Sequence, residues 1–239
     1  MAKSAEAAAA LLNDPVAFMR VNLVSVQVVA ASGLQSFCLD DSLGEARLPN
    51  GAVIRGYYLM PGDGGAGCFT AYWCRYEAEQ THSVVVGSAA DLMFTATMNG
   101  CTLGIGSRNN TGNRLISHAN SSGATVNFIH DTVEQRHVGA LAAMLVSRSH
   151  QQYQQRLAVQ AAHTGPVTLV EPSMYRRDAN EQEILDSTTF GVRDAAADDW
   201  GFYVQKQGDT GQHLLLVGVG FVGGAQPQVQ GLGGWCAIL

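Results

Sequence analysis

Cys101 follows Gly100 in the stretch FTATMNGCTLGIGSRNNTGNRLISHANSS (94–122), and His118 stands near its end. A thiol beside an imidazole suggests nucleophilic chemistry. A free thiol has a pKa of about 8.5 and is mostly protonated at neutral pH. A neighbouring imidazole can take that proton and leave a thiolate that attacks a carbonyl carbon. Gly100 lets a substrate approach the backbone with no Cβ in the way. Backbone N–H groups around Cys101, with Asn99 and Thr102 beside them, are candidate oxyanion or substrate contacts. A further group must orient the imidazole, and a Thr, Asp, Asn or backbone carbonyl can do so. The bland alternative is that Cys101 is a buried hydrophobe, since free cysteines are among the most buried residue types.

For the pair to meet, the chain must fold back between them. CTLGIG (101–106) and RLISHA (114–119) read as strands, and SRNNTGN between them is dense in turn formers. A hairpin centred at Asn109-Asn110 sets Cys101 directly opposite His118 on one face, with Cβ atoms about 5 Å apart. A centre one residue later leaves the two as diagonal neighbours on that face. GATVNFIH (123–130) reads as a third strand, which places His118 opposite Thr125 and His130 more than about 15 Å from Cys101. His82, His137, His150, His163 and His213 have no such link to Cys101.

The surrounding chain reads as short strands split by Gly, Asn and Asp turns. Residues 4–13 look helical, with Asp14-Pro15 as the stop. Strands are expected at 21–30, 51–60, 68–78 and 82–88. Residues 131–166 have helical spacing, with Val138, Leu141 and Leu145 on one face, Asp131 and Glu134 as a capping box, and Gly165-Pro166 as the stop. Strands resume at 166–172, 188–192, 200–205 and 213–222, with QGDTGQ (207–212) as a hairpin turn. The fold class expected is α+β: a β-sandwich or mixed sheet of mostly antiparallel strands flanked by helices, as one domain over 1–239.

Composition narrows the classes. The chain has 239 residues, 46% hydrophobic and 14% charged, with a net charge of −6, so it lacks the basic stripe of a nucleic-acid binder. No apolar run reaches the ~20 residues that span a membrane. The N-terminus MAKSAEAAAALLNDP reads as a helix and not as a secretory signal, so export would need a specialised route. Lys3 and Lys206 are the only lysines among the 14 basic residues. Five cysteines (38, 68, 74, 101 and 236) are sparse and odd in number. The expectation is free thiols in a reducing compartment, with no disulfide framework and no zinc site.

Other chemistry-bearing types read as background. Trp73, Tyr57, Tyr58 and Trp200 suit a core better than a groove. Asp40-Asp41 and Asp198-Asp199 fall in apparently solvated loops. GSRNNTG lacks the Lys-Ser/Thr ending of a phosphate loop.

The element TATMNGC, with a histidine on the next strand, resembles the Cys-dependent glutamine deamidases. That group includes the cytotoxic necrotizing factor catalytic domain, the chemoreceptor deamidase CheD and Burkholderia lethal factor. They share a Leu-Ser-Gly-Cys-type element and a Cys–His pair in a β-rich α+β fold. In Burkholderia lethal factor a threonine six residues before the cysteine completes the triad, and Thr95 stands there in this chain. Met98-Asn99 replace the family's Leu-Ser, and the stretch between Cys101 and His118 is longer than the family pattern.

The resemblance implies a bacterial toxin or effector, secreted without a recognisable signal peptide and acting in the host cytoplasm. It implies a protein-glutamine glutaminase (deamidase), a cysteine hydrolase with catalytic Thr95, Cys101 and His118, no cofactor and no metal. Its partner is a host protein substrate, with no direct nucleic acid and no membrane, and the chain is expected to be a monomer. Targets in the family are the translation-initiation RNA helicase, where modification blocks protein synthesis, and Rho-type GTPases. A cysteine peptidase or amidase, a transglutaminase, and a noncatalytic β-sandwich binding module are the alternatives.

Overall fold

The computed structural model describes residues 3–26, 31–120, 149–175 and 184–225. Two helices open the chain, α1 (Ala5–Asn13) and α2 (Pro15–Val21). Ser4 caps α1, its side chain accepting from the Ala7 N–H, and Asp14 caps α2 by accepting from the Ala17 N–H. Pro15 therefore ends one helix and begins the next, where a missing N–H costs nothing.

Eight strands form the larger sheet: β1 (Asn22–Val26), β2 (Gly33–Arg47), β3 (Val53–Pro61), β4 (Cys68–Cys74), β6 (Leu92–Thr95), β10 (Ile184–Asp194), β11 (Asp199–Asp209) and β12 (Leu214–Gly224). The order is β1-β3-β2-β12-β11-β10-β6-β4, and β2 also pairs with β4. Six of the strands thus close into a barrel, and closure removes the open edges. β2 can serve three partners because it is long and bulged. Its first half pairs with β4 and its second half with β3, with a register break between Asp40 and Gly44, and its last residues meet β12. The second sheet has order β5-β8-β7-β9, from β5 (Thr81–Val86), β7 (Thr102–Gly106), β8 (Arg114–Ala119) and β9 (Val167–Val170), all antiparallel. A helical stretch over 149–162, here α3, precedes β9, and the single turn α4 (Pro172–Tyr175) follows it. The α+β class with mostly antiparallel strands is as expected.

Period-two alternation explains the layering. On β4, Phe69, Ala71 and Trp73 fill the barrel, while Tyr72 and Cys74 point out of it. On β6, Leu92 and Phe94 go inward and Met93 outward; on β11, Tyr203 goes inward and Trp200, Phe202 and Val204 outward. The outward set packs on Val84, Val86, Leu103, Ile105 and Ile116 of the second sheet. Strands buried on both faces lose the polar alternation of a half-exposed strand. The other face of the second sheet carries α3. Thr102, Gly104 and Gly106 line that face, where a Cβ on Gly104 would come within 2.2 Å of Val159 Cγ1 and one on Gly106 within 2.7 Å of His163 Nδ1. The helix can sit this close only over glycine.

Several expectations need correction. β2 is absent from the sequence reading, and Asp40 lies within it as a buried residue, not in a solvated loop. Its carboxyl is held below the usual range by hydrogen bonding to Ser42. Asp198 and Asp199 are neutralised: Arg193 and Arg108 bind Asp198, and Arg114 grips Asp199 through two hydrogen bonds of 2.8 and 2.9 Å. Cys38 and Cys68 are disulfide-bonded, against the expectation of free thiols throughout. They face each other across β2 and β4, a pairing invisible until β2 is recognised. Cys74 and Cys101 are free and buried. The helical pattern before residue 149, the third strand at 123–130, His130, His137, Arg176-Arg177 and Cys236 lie outside the described residues. Among the described residues no helix is long and apolar enough to cross a membrane.

Candidate active site

β7 and β8 form the expected hairpin, in the second of the two registers. Leu103 pairs with His118 and Thr102 with Ala119, so Cys101, just ahead of β7, is the diagonal neighbour of His118. Asn109 closes the turn: its side chain accepts from the Thr111 N–H, the Thr111 hydroxyl and the Asn113 N–H. Cys101 belongs with Leu103, Ile105 and Ile116 in the core between second sheet and barrel, and His118 shares their face by alternation.

Thr95 reaches this face from the barrel. It ends β6 with Met93's outward parity, opposite Cys74 of β4. Its Oγ1 lies 2.6 Å from His118 Nδ1, and both residues are buried. The same hydroxyl lies 3.4 Å from the Ala96 carbonyl, to which it can donate when it accepts from Nδ1–H. Among the described residues, Nε2 is buried with no hydrogen-bond partner. In the tautomer with the proton on Nδ1, Nε2 is the nitrogen that accepts.

Thr95 meets His118, and Cys101 shares their face as the diagonal neighbour of His118, but among the described residues no hydrogen bond joins its sulfur to the ring. Gly100 adopts φ = 97°, a left-handed conformation natural to glycine, as the chain turns into β7. Its N–H donates to Tyr175 Oη at 3.0 Å. Asn99 is exposed, and its backbone N–H hydrogen-bonds the Cys101 sulfur. Thr102 does not share the sulfur's face. Its hydroxyl donates to Gln155 Oε1 at 2.8 Å on the α3 side, which turns it from a substrate contact into a support.

The electrostatics describe a resting, uncharged pair. Burial pushes the Cys101 thiol up to about 11, against a smaller opposing effect of the Asn99 N–H. Burial pushes His118 down to about 4, with His82 adding in the same direction. A gap this wide makes the thiolate–imidazolium form costly, on the order of 10 kcal/mol before their mutual attraction. Cys101 is 3% exposed and His118 1%. Burial this deep is what the alternative of Cys101 as a buried hydrophobe predicts, and it counts against an open nucleophile.

The expectation that His82 has no link to the site needs correction, and three further neighbours, Tyr76, Tyr175 and Gln155, are absent from the sequence reading. His82 lies directly opposite His118 on β5, and its Nε2 is 3.1 Å from Glu77 Oε2. The Tyr76 ring stacks at a tilt on His118, centroids 5.7 Å apart, with its hydroxyl accepting from Asn120 at 2.7 Å. Tyr175 and Gln155 hold the backbone around Cys101. His82 had a weak signal, a histidine heading a strand; the other three come from β-sheet register and from helices more than fifty residues away. Among the described residues, ligand-type side chains gather at Cys38, Asp63 and Cys68, and the two sulfurs there are bonded to each other. No protein-family model matches the chain, and no curated protein matches it in sequence.

Proposed function

We propose that the chain is a Cys-His-Thr hydrolase of side-chain carboxamides, a protein-glutamine deamidase that acts on a host protein as a secreted effector. The observation that carries this reading is the 2.6 Å Thr95–His118 bond, which leaves Nε2 unpaired on the face shared with Cys101. In the reaction, Cys101 Sγ attacks the amide carbon while its proton passes to His118 Nε2. The C–N bond breaks, the imidazolium protonates the departing nitrogen, and ammonia leaves a thioester. Water attacks the thioester, gives its proton to His118, and the sulfur is reprotonated as the carboxylic acid departs. No cofactor or metal is needed for these steps. A helicase of translation initiation and a Rho-type GTPase are the first targets to try.

The test is incubation of purified candidate targets with wild type, Cys101→Ser and His118→Gln. Wild type should release ammonia and convert one mapped glutamine to glutamate, and both variants should fold yet release none. Cleavage of the target backbone instead would reassign the site to a peptidase. A noncatalytic reading is favoured by the burial of Cys101 and His118. Equal, negligible ammonia release from wild type and both variants across the targets would favour it.

A further inference from the structure

Cys101 sits in a short backbone segment held by two buried side chains from distant parts of the chain. Tyr175 Oη accepts from the Gly100 N–H at 3.0 Å and donates to the Cys101 carbonyl at 2.7 Å. One hydroxyl thus bridges the two peptide groups flanking the Gly100–Cys101 linkage. Gln155 Nε2 donates to the Gly100 carbonyl at 3.1 Å, and its Oε1 accepts from the Thr102 hydroxyl at 2.8 Å. Tyr175 is 1% exposed and Gln155 0%. Four hydrogen bonds therefore fix three consecutive residues, with the left-handed Gly100 at their head and Cys101 in the middle. Stabilising a cysteine that merely fills space would not need a buried polar network with this aim, because such networks are costly unless every member is satisfied.

We infer that Tyr175 and Gln155 are positioning residues that clamp the Gly100–Cys101–Thr102 backbone and so aim the sulfur at His118. This rests on the deamidase reading for its catalytic consequence, but the clamp itself is a statement about the thiol. Neither residue touches the reacting atoms. The Gly100 N–H, the nearest candidate oxyanion donor, is committed to Tyr175 in the resting state, so stabilisation of the oxyanion falls to the remaining N–H groups of the turn. Releasing the clamp should make the thiol easier to reach and worse at its work.

The experiment compares wild type, Tyr175→Phe and Gln155→Ala, with Tyr153→Phe on the exposed face of α3 as control. Iodoacetamide alkylation of Cys101 is followed by peptide mapping, with buried Cys74 as the internal reference, and ammonia release is measured on the same samples. Tyr175→Phe keeps the ring and loses both hydrogen bonds. It should label Cys101 roughly tenfold faster than wild type, with Cys74 unchanged, because the local segment opens. Its kcat should fall by a comparable factor with KM little changed, and Gln155→Ala should follow it. Labelling of Cys101 at the wild-type rate in both variants would overturn the clamp. So would faster labelling of Cys74 in step with Cys101, which would mean general unfolding. Faster Cys101 labelling with no ammonia released even by wild type keeps the clamp and overturns the deamidase reading instead.

Discussion

The Thr95 hydroxyl lies 2.6 Å from His118 Nδ1 and joins the barrel to the second sheet. Thr95 ends a barrel strand and His118 stands on an inner strand of the other sheet. Their bond therefore ties the two sheets together. Removing the hydroxyl with Thr95→Ala leaves Nδ1 buried and unpaired, at a cost of about 1–3 kcal/mol. Turnover should fall roughly 100-fold because the ring angle is no longer set. Thr95→Ser keeps the hydroxyl and should stay close to wild type. Urea unfolding and ammonia release measure the two effects, and equal behaviour of the alanine and serine variants would remove Thr95 from the site.

Burial of His118 makes the fold acid-sensitive. Its folded-state pKa is about 4, below the ordinary value of 6.5, so between these the unfolded chain binds the proton and the folded chain does not. Stability is therefore full above pH 6.5 and falls as pH drops toward 4, by about 3 kcal/mol from this group. Thermal unfolding across pH 4–7 should show a steeper acid loss for wild type than for His118→Gln, which has nothing to titrate there. Parallel curves for the two proteins would refute the assignment.

Local pattern carried the hairpin and the Cys101–His118 face, because both depend on neighbours in sequence, whereas Thr95 came only from the resemblance to the Cys-dependent glutamine deamidases. The two registers could not be separated, since a turn rich in Asn and Gly supports either centre, and Asn109 chose by gathering three hydrogen bonds on its own side chain. β2 escaped because Asp40, Asp41, Ser42 and Gly44 break its alternation at the bulge, and with it went the Cys38–Cys68 pairing. Trp73 and Trp200 were legible as core but not as members of two different cores, which only barrel closure separates. Gln155 and Tyr175 have no local signal at all. Their roles arise from α3 and α4 returning over a segment more than fifty residues earlier.

The Cys38–Cys68 bond closes the chain across a separation of 30 residues. Loop-closure entropy for such a crosslink is worth about 3–4 kcal/mol. Under a dithiol reductant the unfolding free energy read from urea titration should drop by that much, and Cys38→Ser with Cys68→Ser should reproduce the drop and abolish the reductant's effect. Turnover in the remaining folded protein should be unchanged, since the pair belongs to β2 and β4 and the site to β6, β7 and β8. A loss of turnover in reductant without loss of folded protein would tie the disulfide to the site.

Gly104 tests whether helix α3 governs the site through its distance from β7. A methyl group there meets Val159 Cγ1 at 2.2 Å, and Val159 is fully buried with nowhere to go. Gly104→Ala should push α3 off the sheet and cost about 1–3 kcal/mol by overpacking. Gln155 rides on the same helix one turn earlier, so its bonds to the Gly100 carbonyl and the Thr102 hydroxyl should lengthen together. Val159→Ala returns the space, and the double variant should recover part of both stability and turnover. Recovery of stability without turnover would show that the helix supports the fold but does not set the position of Cys101.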